Sequence, residues 1–153
     1  MAVQVHGTLI AYQGIGILIS GPSGSCKTHL AIEAMQHGAK FIADDQVVLT
    51  MNTGMLMGGP AKGMQGVLEL RGIGLIKLPD APTQQVVHCI VEMTPPEQVE
   101  RLPTHRETRE LLGGILPVIR LAPPPHSSSA LMLNAVKWVQ EGRLLPSDWH
   151  PSA

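Results

Sequence analysis

The chain has 153 residues, 44% hydrophobic and 15% charged, with 11 Lys and Arg against 12 Asp and Glu. A charged share below the ~25% of ordinary soluble domains excludes a chain that is mainly disordered. A net charge of −1 without a basic run excludes a dedicated nucleic-acid binder, and no apolar stretch is long enough to span a membrane.

In chain order, Val3 to Tyr12 alternates and predicts a strand, and Gln13-Gly14 predicts a turn. Ile15 to Ser20 predicts a short buried strand. Lys27 to His37 carries Leu30, Ala31, Ala34 and Met35 on one helical face, with Gly38 at the C-terminal cap. Lys40 to Ala43 is apolar and meets Asp44-Asp45. Gln46 to Met51 and Met55 to Met57 flank Asn52-Thr53-Gly54, a hairpin pattern. Gln85 to Met93 is a second apolar run, and Thr94-Pro95-Pro96-Glu97 has the spacing of a capping box. Glu107 to Leu112 and Leu116 to Leu121 predict strands, and Ala130 to Gln140 predicts a closing helix. The order predicts one domain over 1–153, with a core at 3–121 and a C-terminal helix at about 129–141. The N-terminus lacks the pattern of a signal peptide, and there are two cysteines, Cys26 and Cys89. Both features predict a reducing, cytoplasmic setting.

Gly21-Pro22-Ser23-Gly24-Ser25-Cys26-Lys27-Thr28 nearly matches the phosphate-loop pattern, between a buried strand and a helix. Glycines let backbone N–H groups curl inward around a phosphate, and the helix N-terminus adds partial positive charge. Lys27 is expected to reach the outer phosphates and the Thr28 hydroxyl to ligate Mg²⁺. Cys26 stands where the pattern has glycine. It is read as a tolerated small residue, with a thiol switch on nucleotide binding as the second reading. Cys89, inside an apolar run, is expected to be inert core.

An apolar strand ending in Asp44-Asp45 beside a phosphate loop is where a metal-facing acid is expected. In extended chain the two carboxylates point to opposite sides, one to the metal and one to an acceptor proton. Glu69 and Arg71 alternate with Leu68 and Leu70, which predicts that both share one strand face. The histidines show no metal-ligand spacing, so no zinc site is expected.

Four pieces in order, Val5-His6-Gly7, the phosphate loop, Ala43-Asp44-Asp45 and Glu69-Leu70-Arg71-Gly72-Ile73-Gly74, resemble the catalytic C-terminal domain of HPr kinase/phosphorylase. The resemblance implies an α/β fold like that of phosphoenolpyruvate carboxykinase, a P-loop kinase domain with mixed β-sheets and few helices. It implies ATP-dependent phosphorylation of a serine on the phosphocarrier HPr, and reversal by phosphorolysis. Asp45 is implied as the acid/base, with Asp44 and His6 beside it and Arg71 steadying phosphate or the acids. Thr28 and Glu69 are implied to hold Mg²⁺, and Gly21, Ser23, Gly24, Ser25, Cys26 and Lys27 to cradle the nucleotide. A homo-oligomer, a hexamer by resemblance, fits the low charge fraction.

The chain resembles a short form without the family's N-terminal regulatory domain. Its Lys77 to Thr83 stretch is shorter than the corresponding family loop, which leaves the reverse reaction open. Two other readings are a P-loop kinase of a small molecule and a decayed nucleotide-sensing subunit. The Glu69–Gly74 motif argues against the first, and intact Lys27, Thr28, Asp44, Asp45 and Glu69 argue against the second.

Overall fold

A computed structural model describes residues 1–152. The strands are β1 (Ala2–His6), β2 (Thr8–Tyr12), β3 (Ile15–Ser20), β4 (Lys40–Ala43), β5 (Gln46–Asn52) and β6 (Met55–Pro60). They continue as β7 (Val67–Leu70), β8 (Gly74–Lys77), β9 (Gln85–Val86), β10 (Cys89–Met93), β11 (Thr108–Leu111) and β12 (Gly114–Leu121). The helices are α1 (Lys27–Met35) and α2 (Ser129–Gln140), with a 3-10 turn at Pro96–Gln98. Few helices among mixed sheets match the predicted fold class.

A six-stranded sheet runs in the order β11-β12-β10-β3-β2-β4. Strand β10 pairs in parallel with both β3 and β12, while β2, β4 and β11 join antiparallel. Both faces are covered, so its central strands read as continuous apolar runs. Ile17 and Ile19 of β3 face Leu30, Ala31 and Ala34 of α1 and Met132, Leu133 and Val136 of α2. Leu18 faces the other way, into a cluster with Leu9, Val47, Leu49, Leu56 and Ile90. That second cluster binds the sheet to a four-stranded one, ordered β1-β5-β6-β9. Each fully buried Leu or Ile contributes roughly 1.5–3 kcal/mol over exposure. Two buried interfaces thus hold β3 on both sides, and the phosphate loop leaves from its end.

Three expectations about the elements need correction. The stretch Val3 to Tyr12 is two strands in two different sheets. It breaks at Gly7, where a Cβ would stand 2.8 Å from the Ile19 carbonyl oxygen. Only a bare Cα lets the chain cross so close to β3. Thr94 does not cap the following turn: Pro95 occupies the N-cap position, without a side-chain cap. The buried Thr94 hydroxyl instead donates to the Glu92 carbonyl (3.0 Å) and accepts from Arg120 Nη1 (3.2 Å). Tertiary partners outcompete the local cap. Gln85 to Met93 is likewise divided, into β9 and β10.

Candidate active site

The loop after β3 turns at Gly21, at φ +144°, where a Cβ would meet Met93 Cβ at 2.8 Å. Cys26 has φ 68° and ψ 27° and stands just before α1. This is left-handed backbone, which costs an L-residue roughly 1–2 kcal/mol. Glycine is the unstrained choice there, so the departure from the pattern is a conformational one. The Cys26 side chain is exposed and gives α1 no cap. The first-turn N–H groups of α1 therefore have no side-chain partner at the N-cap and remain open to an anion.

Lys27 folds back over its own loop. Its Nζ donates to the Gly21 carbonyl at 2.9 Å and the Pro22 carbonyl at 3.0 Å. Burial lowers its pKa from the ordinary lysine value, and the charges of Asp44, Asp45 and Glu92 work the other way.

Strand β4 ends at Ala43, and Asp45 is left-handed at φ 67°. The expected extended Asp pair is thus a tight bend, and backbone rather than strand alternation separates the two carboxylates. Asp44 accepts hydrogen bonds from the Thr8 hydroxyl (2.8 Å) and the Thr28 hydroxyl (2.9 Å). The Thr28 bond ties the start of α1 to the end of β4. Asp45 Oδ1 lies 3.3 Å from His6 Nδ1 and is largely exposed. The Gly7 amide also donates to the Asp45 carbonyl, at 3.2 Å, so the strand break at Gly7 helps place Asp45.

Glu69 lies in β7, but Arg71 does not share its strand face: it begins the turn between β7 and β8. Gly72 at φ +84° makes that turn. Both residues nevertheless reach one cleft of about 720 Å³. The predicted His6, Asp44, Asp45, Glu69 and Arg71 line it together with Ser23, Gly24, Cys26, Lys27 and Thr28 of the loop. Gly21 and Ser25 do not line it. Three lining residues, His29, Ile32 and Leu70, escaped the sequence reading, as did Thr8. The signal for His29 was present, since it falls three residues after Cys26 on α1. Cys89 is buried core, its thiol pushed up to about 12 by burial.

The cleft suits a polyphosphate. Nothing lies within 4 Å of the Cβ position at Gly24. Ser25 Oγ is buried in the loop without a hydrogen-bond partner, a donor that a ligand or water can satisfy. The site also suits Mg²⁺. Thr28 and Asp44 present adjacent oxygens, 2.9 Å apart, the hard-donor type that Mg²⁺ takes. Mg²⁺ is held by one or two carboxylates with phosphate and water rather than by an all-protein cage.

The HPr Serine kinase C-terminal domain family matches residues 1–140. The HPr kinase/phosphorylase of Streptococcus thermophilus is 35% identical over 128 residues, covering 77% of this chain and 41% of that protein. The enzyme of the same name from Malacoplasma penetrans is 31% identical over 142 residues, covering 86% of this chain and 47% of that protein. The chain thus spans less than half the length of these curated relatives. The solved Hpr(Ser) kinase/phosphatase from Coxiella burnetii superposes with a TM-score of 0.83 at 23% identity, over 92% of each chain. That likeness shows the fold, the phosphoenolpyruvate-carboxykinase-like P-loop architecture. With the family match running over residues 1–140, this chain belongs to the HPr serine kinase C-terminal domain family.

Proposed function

We propose that this chain is a catalytic domain that transfers the γ-phosphoryl group of Mg-ATP to a serine of an HPr-type phosphocarrier protein. The observation that carries the reading is the convergence of Lys27, Thr28, Asp44 and Asp45 on one cleft. The loop amides and the Lys27 ammonium bind the phosphates, and Gly21, Ser23, Gly24, Ser25 and Cys26 shape the cradle. Lys27 must exchange its bonds to the Gly21 and Pro22 carbonyls for phosphate oxygens. Mg²⁺, when bound, neutralises charge on the transferring phosphoryl group. Thr28 and Glu69 would hold it, with Asp44 orienting the Thr28 hydroxyl.

Asp45 is the acid/base. A serine hydroxyl is a poor nucleophile, and a positioned carboxylate removes its proton as the new bond forms. Exposure of Asp45 to the cleft mouth lets a macromolecular acceptor reach it, and His6 fixes its carboxylate. Arg71, on the turn at the same cleft, steadies phosphate charge or the acids. In phosphorolysis inorganic phosphate takes the place of ADP as acceptor: it attacks the phosphoserine phosphorus, pyrophosphate forms as the serine P–O bond breaks, and Asp45 returns the proton to the serine oxygen.

A cytoplasmic setting suits an ATP-dependent enzyme, and no helix among the described residues is long and apolar enough to cross a membrane. Exposed Leu131, Trp138, Leu144 and Trp149 near the C-terminus support assembly into a homo-oligomer, a hexamer by family resemblance.

The test incubates the chain with Mg²⁺, labelled ATP and an HPr-type protein. Phosphoserine is expected, and its removal by added inorganic phosphate would establish the reverse activity. ATP binding without transfer to protein or metabolite would overturn the kinase reading in favour of a sensing subunit. Transfer only to a metabolite would favour a small-molecule kinase.

A further inference from the structure

Next to the acid pair lies a second cavity, of about 120 Å³. It shares Asp44, Asp45 and Glu69 with the phosphate cleft, so these carboxylates form a wall between the two. Apart from Gln46, the other walls are apolar, chiefly Pro60, Met64, Val67 and Leu75. Glu69 and Leu75 are direct partners across the β7–β8 hairpin, so their side chains stand on the same face. One hairpin therefore sets a carboxylate of the phosphate cleft beside an apolar wall of the neighbouring cavity.

Two of the three carboxylates already have partners: Asp44 holds Thr8 and Thr28, and Asp45 lies against His6. The apolar walls are left to choose the occupant. Leu75 is 70% exposed, Ile73 at the hairpin turn 74% and Met64 44%. Apolar surface thus extends from the cavity onto the hairpin tip, where little among the described residues covers it.

We propose that this cavity is an acceptor subsite, taking an aliphatic side chain adjacent to the target serine while the hairpin tip lies beneath the same protein. The inference rests on the protein-kinase reading above. A small molecule of the cavity's size, roughly four water volumes at about 30 Å³ each, would leave Ile73 and much of Leu75 in water. A folded acceptor covers both. Continuity with the phosphate cleft fixes the direction of approach. The serine hydroxyl comes to Asp45 from the hairpin side as its neighbour enters between Met64 and Leu75.

Steady-state phosphorylation of an HPr-type protein tests this, with Leu75→Asn and Met64→Ser in the enzyme. The residues before and after the acceptor serine are replaced singly by Ala or Lys. Leu75→Asn is expected to raise KM for the protein about tenfold, with KM for ATP and kcat held within about twofold. Ala at one flanking position is expected to reproduce the rise and to add little to Leu75→Asn, as contacting partners do. Thermal melting and sedimentation should match wild type, because both side chains are substantially exposed. Unchanged protein KM in both enzyme variants would overturn the subsite. So would a Lys-flanked serine being the better substrate, or a KM rise that tracks dissociation of a homo-oligomer. The two readings fail separately. A wild-type enzyme that makes no phosphoserine removes the kinase reading beneath the subsite. Normal wild-type transfer with unmoved variants removes the subsite alone.

Discussion

The two helices begin in opposite ways. Helix α2 starts at Ser128, in extended conformation, whose side-chain oxygen accepts from the Leu131 amide at 3.2 Å. Helix α1 starts at a left-handed Cys26 whose side chain caps none of its amides. Both helices bury one face against the same sheet, through Leu30 and Ala34 in one and Met132 and Val136 in the other. Packing is therefore alike, and the difference lies at the N-termini. The α2 end is closed by its own chain; the α1 end is strained, uncapped and faced by a cleft. Local stability is given up where the proposed function needs a phosphate to bind.

That contrast can be broken from either side. Among changes at the helix starts, the largest effect is expected from Lys27→Ala, which removes the charge that complements the open end. Phosphoryl transfer should fall by about 10²–10³, with ATP affinity lost in parallel by equilibrium binding. The Ser128→Ala variant opens the closed end instead. It should cost about 1 kcal/mol in chemical denaturation while transfer stays at the wild-type rate. Cys26→Gly relaxes the strained end, and denaturation should show a gain of up to about 1 kcal/mol, because relief of left-handed strain exceeds the added freedom of the unfolded chain. Tighter ATP binding should accompany it.

The smallest effect lies away from both helices. Glu107 and Arg120 form a two-point pair, with Arg120 Nε 2.7 Å and Nη2 2.9 Å from the carboxylate oxygens. The Arg120 hydrogen bonds lower the Glu107 pKa below the ordinary glutamate value. Stability from this pair is present above the unfolded glutamate pKa and is lost as pH falls through the folded one. The Tm difference between wild type and Glu107→Gln should therefore shrink on acidification below the ordinary glutamate range. Its size at neutral pH should be small, since the pair is about 40% exposed.

The contrast also explains what the sequence made legible. Strands β3 and β10 and both helices could be read because burial on two faces, or on one helical stripe, leaves a periodic mark. The cleft could be read wherever a residue's chemistry needs a fixed spacing, as in Gly21 to Thr28. Positions set by distant chain segments were hidden. Thr8 reaches Asp44 across 36 residues, and nothing local distinguishes it from any strand threonine. Arg71 leaves the strand because Gly72 turns the chain, a signal that was visible but outweighed by the alternation of Leu68 and Leu70. Asp45 owes its placement to left-handed backbone and the Gly7 amide, and neither feature follows from a strand pattern. Thr94 carried a correct local signal that Arg120 and the Glu92 carbonyl overrode.

The central claim is that the loop binds while Asp45 does the proton transfer. The direct test measures equilibrium ATP binding and transfer to an HPr-type serine side by side in Asp45→Asn. The account predicts nucleotide affinity near wild type with transfer reduced by about 10²–10⁴. Transfer at the wild-type rate would contradict it, since a neutral amide cannot accept the serine proton.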